Sequence, residues 1–330
     1  MSLAERLRRH LDETSLLEGA SHVLIACSAG GDSTALLVLL AEVLPREMLA
    51  AAHIHHLLRE TGNRDARAVA DLAASLQVPF GFRPVEVSKL RSKGESLEAA
   101  ARRLRYHALF ALADALGPGT LIATGHTLDD QAETVLLNLA RHSGRARGGI
   151  RARRQDGVVR PLLPFTRAEL RSFLSDRGIA WQEDETNSDP RFLRNRIRHH
   201  VLPSLEVRWP GVAVRLARAG DAWTRRLTRL DTDLDGRLER HRAPAGGPWP
   251  RGLLLEAGPE GAGRLLLRAA SIAGKPPGRA QLRRVLSRLS AGDCFAESLG
   301  GLRLVADRRS VSLRPPVPGR TRRSPDSRTG

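Results

Sequence analysis

In the first 140 residues, short apolar runs alternate with amphipathic stretches, with little chain between them. His22–Ser28 reads as a buried strand and Asp32–Leu44 as a helix. Met48–His53 is a second strand and Arg64–Leu76 a second helix. Phe80–Val87 is a third strand, Ser96 caps a long helix running to about Leu116, Thr120–Thr124 is a fourth strand, and Asp129 to about Ala140 a further helix. This alternation predicts an α/β fold, a doubly wound and mostly parallel sheet with helices on both faces. Ligands of such sheets bind beyond the carboxyl ends of the strands. Ser28–Ser33, the His53 end and Gly125–Asp130 are therefore expected to be neighbours in space.

The remaining chain reads differently. Arg141–Arg154 carries Gly and Arg without an apolar period and predicts a basic loop. Thr166-Arg167-Ala168-Glu169 has the pattern of a capping box, so a helix is expected to start there. A basic helical stretch is expected over Phe192–Val201, and a charged helix from about Val212 to Arg240. His241–Arg251, with three prolines and two glycines, reads as a linker. Helices near Gly263–Ile272 and Arg279–Leu289 and a hairpin of Gly301–Val305 with Ser310–Leu313 make a small α+β unit. With roughly 100–200 residues per domain, the expected division is 1–210 for the α/β domain, 211–314 for a helical connector and small α+β domain, and 315–330 for a disordered basic tail.

The net charge is +17, and arginine carries nearly all of it, because lysine stands only at 89, 93 and 275. A surplus of base this large points to a polyanionic partner, nucleic acid before membrane surface. Only 4% of residues are aromatic, too few for a generic base-stacking platform, so contact is expected mainly with phosphates. No apolar run reaches the ~18–20 residues of a membrane span, and Met1–Ser15 has no apolar signal core. The two cysteines, Cys27 and Cys294, give neither a disulfide framework nor a CxxC site. Together these features read as cytoplasmic.

The sharpest local signal is Ser28-Ala29-Gly30-Gly31-Asp32-Ser33, between an expected strand and an expected helix. Small residues let backbone approach an anion, the helix start points its amides at it, and the two serines can donate to phosphate oxygens. Asp32 is the odd member, because a carboxylate beside phosphates repels them unless it orients the loop or shares a magnesium ion. Asp129, Asp130 and Glu133 make an acidic helix start. Compensation of the helix dipole explains such residues by itself. Beside a phosphate loop, holding magnesium or a substrate ammonium becomes the better reading. His53, His55, His56 and His126 could form a transition-metal site, but no cysteine or spaced carboxylate completes it. Arg102 and Arg105 share a helical face, as a solvated surface or as a phosphate contact. Arg191, Arg194, Arg196 and Arg198 are too dense for one salt-bridged face, and arginine binds phosphate bidentately.

The hexapeptide resembles the PP-loop, SxGxDS, of the N-type ATP pyrophosphatases. Further segments narrow the resemblance. His53-Ile54-His55-His56-Leu57-Leu58-Arg59 is similar to HVxHGLR, and Glu98 through Tyr106 to ExxARxxRY. Gly125 through Thr134 is similar to GHTxDDQAET, and Asp184–Asn187 with Arg194–Arg198 to DxSN…RNxIR. Together these resemble the tRNA(Ile)-lysidine synthetases, over residues 20–210 strongly and 250–314 weakly. The chain stops where the long form of that family adds a domain, and so resembles the short form. Two departures stand out. Ala29 occupies a position that is usually glycine, and His142 and Arg147 replace glycines of RGSGxxGLxG.

The resemblance implies an adenine nucleotide α-hydrolase-like fold and an ATP-dependent ligase. ATP with Mg²⁺ would adenylate the wobble cytidine in the CAU anticodon of an isoleucine tRNA, and free L-lysine would displace AMP at carbon 2. ATP contacts would fall to Ser28, Ala29, Gly30, Gly31, Asp32, Ser33, His53 and His126. Catalysis would fall to Asp32, Asp129 and Asp130, with the metal on Asp32 and Asp130. Substrate contacts would fall to Arg102, Arg105, Glu133, Arg194, Asn195 and Arg198. A PP-loop tRNA thiolase and an inactive RNA-binding protein are the alternatives.

Overall fold

The structure is a computed structural model that describes residues 1–57, 62–140, 148–182, 193–272 and 277–315. Arg59, the first half of the Arg141–Arg154 loop, Asp184–Asn187, Arg191 and nearly all of the tail expectation lie outside the described residues. The chain divides into two compact units, Met1–Thr224 and Arg225–Gly330. The division falls inside a long helix and not before it.

In the first unit the elements run α1 (Leu3–Thr14), β1 (His22–Ala26), α2 (Gly31–Val43), β2 (Leu49–His55), α3 (Gly62–Ser75) and β3 (Phe80–Pro84). Then follow α4 (Val87–Leu90), α5 (Leu97–Leu116), β4 (Thr120–Thr124), α6 (Leu128–Ala140), β5 (Val158–Val159), α7 (Arg167–Ser175), α8 (Leu193–Arg196) and α9 (Leu202–Arg208). The five strands are all parallel and lie in the order β3-β2-β1-β4-β5. The expected doubly wound sheet is therefore present. The order reverses between β1 and β4, so the crevice of the topological switch point opens between the loops that follow these two strands.

The strand alternation explains the two faces. Val23 and Ile25 of β1 pack with α1, α2, α3 and α7, while Leu24 turns to the other face with Ala50, Ala52, Ile54, Ile122 and the α5 residues Leu104 and Leu109. Helix α2 is buried from Ser33 to Ala41, which is why it is apolar on every side. The Ser96 side chain caps α5 at 3.2 Å from the Ala99 amide. Thr166 and Glu169 form the expected capping box of α7. Strand β5 has only two residues, too short for any periodicity to reveal. The basic stretch before α9 is not one regular helix, because Ile197–Val201 is π-helical. Pro203, which has no amide hydrogen to give, lies just beyond it.

The second unit contains the later part of α10 (Val212–Arg240), then β6 (Trp249–Pro250), α11 (Arg251–Glu256), α12 (Gly258–Ile272), α13 (Arg279–Ser290), β7 (Phe295–Leu299), β8 (Leu302–Ala306) and β9 (Ser310–Arg314). Its sheet has the order β6-β9-β8-β7, and the pairs β6–β9, β9–β8 and β8–β7 are antiparallel. The expected linker over His241–Arg251 is corrected here. Trp249 is fully buried among Leu234, Leu253, Leu266 and Leu304, and β6 pairs with β9. Arg251 is buried too, and donates to the carbonyls of Leu289, Asp293 and Asp307 at 2.8–2.9 Å. The prolines and glycines shape a turn into the core.

Trp249→Ala should therefore cost about 3–5 kcal/mol, the usual range for emptying a buried aromatic site. Urea unfolding monitored by circular dichroism measures it, and a loss under about 1 kcal/mol, typical of a surface position, would return this segment to linker status.

Candidate active site

The loop after β1 is closed by its own serines. The Ser28 amide donates to Ser33 Oγ at 3.0 Å, and Ser33 Oγ donates to the Gly30 carbonyl at 3.0 Å. Gly30 precedes α2 without giving a side-chain cap. Amides of the first turn of a helix have no partner within it, and with the helix dipole they favour an anion. The Ala29 carbonyl accepts from the Gln182 amide at 2.9 Å. Ala29 itself is buried and has φ of +64°, in the left-handed region where a Cβ costs about 1–2 kcal/mol. The loop thus keeps the backbone shape that glycine serves elsewhere, with a strained alanine. Gly125, beyond β4, comes so close that an added Cβ would stand 3.1 Å from the Asp32 carbonyl carbon and oxygen. The two loops flanking the switch point are in direct backbone contact, as their places in the sheet require.

The acidic start of α6 meets three arginines. Thr127 caps the helix, and its amide and hydroxyl donate to Asp130 Oδ2 at 2.8 and 3.0 Å. Asp130 Oδ1 accepts from Arg167 at 2.6 Å, Arg194 at 3.0 Å and Arg198 at 3.2 Å. Glu133, wholly buried, accepts from Arg167 at 2.7 Å, Arg194 at 3.0 Å, and Arg198 at 2.7 and 3.1 Å. Arg167 also reaches Asp32 at 3.3 Å, and its amide donates to Asp129 at 2.8 Å. Burial alone would raise the Asp130 carboxyl, but Arg167 and Arg194 outweigh it and hold it at about 2. Glu133 is likewise lowered, against burial, by Arg198 and Arg167. At Asp32 burial wins over Arg167 and raises the carboxyl.

These partners revise several expectations. Asp32, Asp129, Asp130 and Glu133 do converge, but Arg167 is the residue that joins all four, and the sequence reading missed it. Its signal was a cation in the first turn of α7, the wrong sign for the helix dipole. Arg194 and Arg198, expected on RNA phosphates, turn onto Asp130 and Glu133. Magnesium takes one or two carboxylates together with waters and substrate phosphates. Asp32 fits that role, because one of its oxygens has no hydrogen bond among the described residues. Asp130, expected to share the metal, accepts on both oxygens from Thr127 and the arginines, so a cation there would displace one of these donors. Asn195 lies on α8 between the two inward arginines.

The histidines serve separate places. His53 Nδ1 bonds the Cys27 carbonyl at 2.9 Å, and its ring stacks on Phe82 with centroids 6.3 Å apart. Burial lowers its pKa. His126 Nδ1 lies 3.0 Å from Thr124 Oγ1. Its pKa falls to about 3, first from burial and then from Arg160, Arg194 and Arg105, against the pull of Asp130. Arg102 and Arg105 gather around Tyr106, 5.1 and 5.5 Å from its ring centroid.

Two measurements follow from this geometry. Ala29→Gly should change stability by less than about 1 kcal/mol, because relief of left-handed strain is offset by about 0.8 kcal/mol of lost methyl burial and about 0.4–1 kcal/mol of chain entropy. Ala29→Val should cost more than about 2 kcal/mol in urea unfolding, since a β-branched side chain resists positive φ most. Equal stability of the two variants would deny the left-handed conformation. His126 acts on pH dependence. Folding keeps it neutral down to about 3 while the unfolded chain protonates it near 6.5. Its contribution is therefore complete above pH 6.5 and is lost as pH falls from there toward 3. Between these limits His126→Asn should flatten the fall of unfolding free energy by up to about 1.4 kcal/mol per pH unit. Unchanged slopes would show that His126 titrates normally.

Comparison with known proteins identifies the family. The model of the PP-loop domain matches residues 2–205. A tRNA(Ile)-lysidine synthase of Thermus thermophilus is 43% identical over 218 residues, covering 66% of this chain and 42% of that protein. One from Salinispora arenicola is 39% identical over 278 residues, 82% of each chain. The chain spans 42–63% of the length of several of the curated relatives it matches. Among solved structures, the U34-tRNA thiolase NcsA of Methanococcus maripaludis superposes with a TM-score of 0.54 at 16% identity, covering 66% of this chain and 77% of that one, a likeness of fold alone. With its phosphate loop, its GHTxDD loop and these identities, the chain belongs to the PP-loop family and, within it, to the tRNA(Ile)-lysidine synthases.

Proposed function

We propose that this protein ligates free L-lysine to carbon 2 of the wobble cytidine in the CAU anticodon of an isoleucine tRNA, in the cytoplasm. The observation that carries the proposal is the junction of the Ser28–Ser33 loop with the Asp32–Asp130–Glu133–Arg167 cluster at one switch point. ATP, with Mg²⁺, supplies the adenylyl group that turns the poorly electrophilic carbon 2 carbonyl into one with a leaving group. Ser28, Ser33 and the first amides of α2 hold the pyrophosphate end. Asp32, raised by burial and lying beside Arg167, is the carboxylate best placed to share magnesium. Charge on the departing phosphates is countered by arginine in a poorly hydrated setting, where each hydrogen bond counts for more than in water.

The lysine substrate carries an α-ammonium and an α-carboxylate, and the attacking ε-amine must be neutral. A cluster of alternating charge suits such a zwitterion. Asp130 and Glu133 would take the α-ammonium by giving up contacts to Arg194 and Arg198, and the arginines so released would take the α-carboxylate, leaving the ε-amine to reach the base. His53 and His126, both kept neutral by burial, bring no charge to the nucleotide. No helix among the described residues is long and apolar enough to cross a membrane.

Incubation with ATP, Mg²⁺, labelled lysine and isoleucine tRNA bearing CAU should give a wobble nucleoside heavier by one lysine less one water, with one pyrophosphate released. Sulfur in place of lysine, or no mass change, would overturn the reading. Glu133→Gln should raise KM for lysine about 10–100-fold, the worth of one charged hydrogen bond at 1.5–3 kcal/mol, with little effect on tRNA affinity. Circular dichroism confirms folding of that variant. A wild-type KM would move the lysine site elsewhere.

A further inference from the structure

The chain returns to the Ser28–Ser33 loop once more, just beyond α7. The Gln182 amide donates to the Ala29 carbonyl at 2.9 Å, and Gly30 and Gln182 form an isolated parallel bridge. The Gln182 side-chain oxygen accepts from Arg64 of α3. The indole of Trp181 lies over Gly31, where an added Cβ would stand 3.3 Å from its Cδ1 and 3.4 Å from its Nε1. Trp181 is itself packed against the core that holds α2 and α7. Helix α7 thus brings the chain to this loop twice. Arg167 in its first turn meets Asp32, and residues 181–182 beyond its last turn meet Ala29, Gly30 and Gly31.

This contact separates the reasons for the two glycines of the loop. Neither takes a positive φ. Gly30 is at −71° and Gly31 opens α2, while Ala29 holds the left-handed position. A Cβ on Gly30 would meet only Ser28 Oγ, at 3.5 Å, so the missing side chain there leaves space open to a ligand. Gly31 is bare because the indole occupies the place of its side chain. Beside the loop, Cys27, Ala29, Thr34 and Trp181 help line a cavity of only about 20 Å³, room for about one water. The segment is therefore a support packed on the loop and not the wall of a binding cleft. An L residue resists the conformation of Ala29, so the shape of the loop depends on contacts made from outside it. Trp181 and the Gln182 amide supply such contacts.

We propose that Trp181 and Gln182 are positioning residues of the ATP site, which hold the Ser28–Ser33 loop in the shape that receives the phosphates. The proposal rests on the reading that this loop binds ATP. Neither residue needs to touch the nucleotide. Trp181 acts through Gly31, and Gln182 acts through the Ala29 carbonyl. Loosening either should weaken ATP and leave lysine affinity in place.

The test measures ATP affinity by calorimetry with Mg²⁺, together with KM for ATP and for lysine from pyrophosphate release. Trp181→Ala should weaken ATP binding about tenfold, well inside the roughly 100-fold that a shift of ~1 Å can cost a positioned group, while KM for lysine holds. Trp181→Phe, which keeps a flat ring on Gly31, should recover most of that loss. Gly31→Ala, which sets a methyl against the indole, should also weaken ATP. Added to Trp181→Ala the methyl should cost nothing further, because the effects of residues in contact do not add. Gln182→Pro, which removes the amide, should weaken ATP more than Gln182→Ala, which keeps it. Thermal melting shows that each variant folds. Additive losses in the Gly31 and Trp181 pair, or equal ATP affinities in Gln182→Pro and Gln182→Ala, would overturn the proposal. So would a Trp181→Ala chain with a lowered Tm and unaltered ATP affinity, the sign of a merely structural role. A wild-type chain that binds no ATP would instead sink the reading of the loop on which the proposal rests.

Discussion

The buried pairing of Asp130 and Glu133 with Arg167, Arg194 and Arg198 is the contact on which the rest of the site depends. A carboxylate as buried as Glu133 costs several kcal/mol to strip of water, and only close, hydrogen-bonded cations offset this. The arginines come from α7, α8 and the π-helical turn after it, far along the chain from α6, so their ion pairs fix these segments around one point. Removing any one cation would leave a buried charge partly uncompensated. That is a strong constraint on sequence, and one that a surface salt bridge does not impose.

The sheet order decides where this cluster stands. Because β4 returns to lie beside β1, the loop after β4 is pressed against the loop after β1, closely enough that Gly125 has no room for a side chain. The acidic helix start is thereby set next to the start of α2, whose first amides have no partner within the helix. Ala29 shows that this geometry overrides local preference. Its positive φ is sustained by the surrounding core and by the hydrogen bond from Gln182, the usual circumstance in which strain persists at functional loops.

Positive charge in this protein is organised in two ways. At the carboxylate cluster it is neutralised internally, so arginines that look available for RNA are engaged with acids. Around Tyr106, Arg154 pairs with Asp156, while Arg102 and Arg105 have no carboxylate partner among the described residues. The net charge of +17 does not distinguish these situations.

Much of the fold was legible in the sequence. Alternating apolar and amphipathic segments determine the parallel sheet, because a strand flanked by helices buries both faces. The Ser28–Ser33 and Gly125–Thr134 motifs mark the two strand ends that meet at the switch point, because small residues and helix starts are local requirements. What only the tertiary structure decided is partnership. Arg167 sits inside a capping box, and nothing local says that its side chain gathers Asp32, Asp130 and Glu133. Arg194 and Arg198 read as a phosphate-binding run until they are seen facing α6. Strand β5 is too short to show a period, and Trp249 lies in a segment whose prolines and glycines suggest a linker. In each case the deciding energy is a contact between residues distant in sequence, and local composition carries no record of which long-range partner will remove a side chain from water.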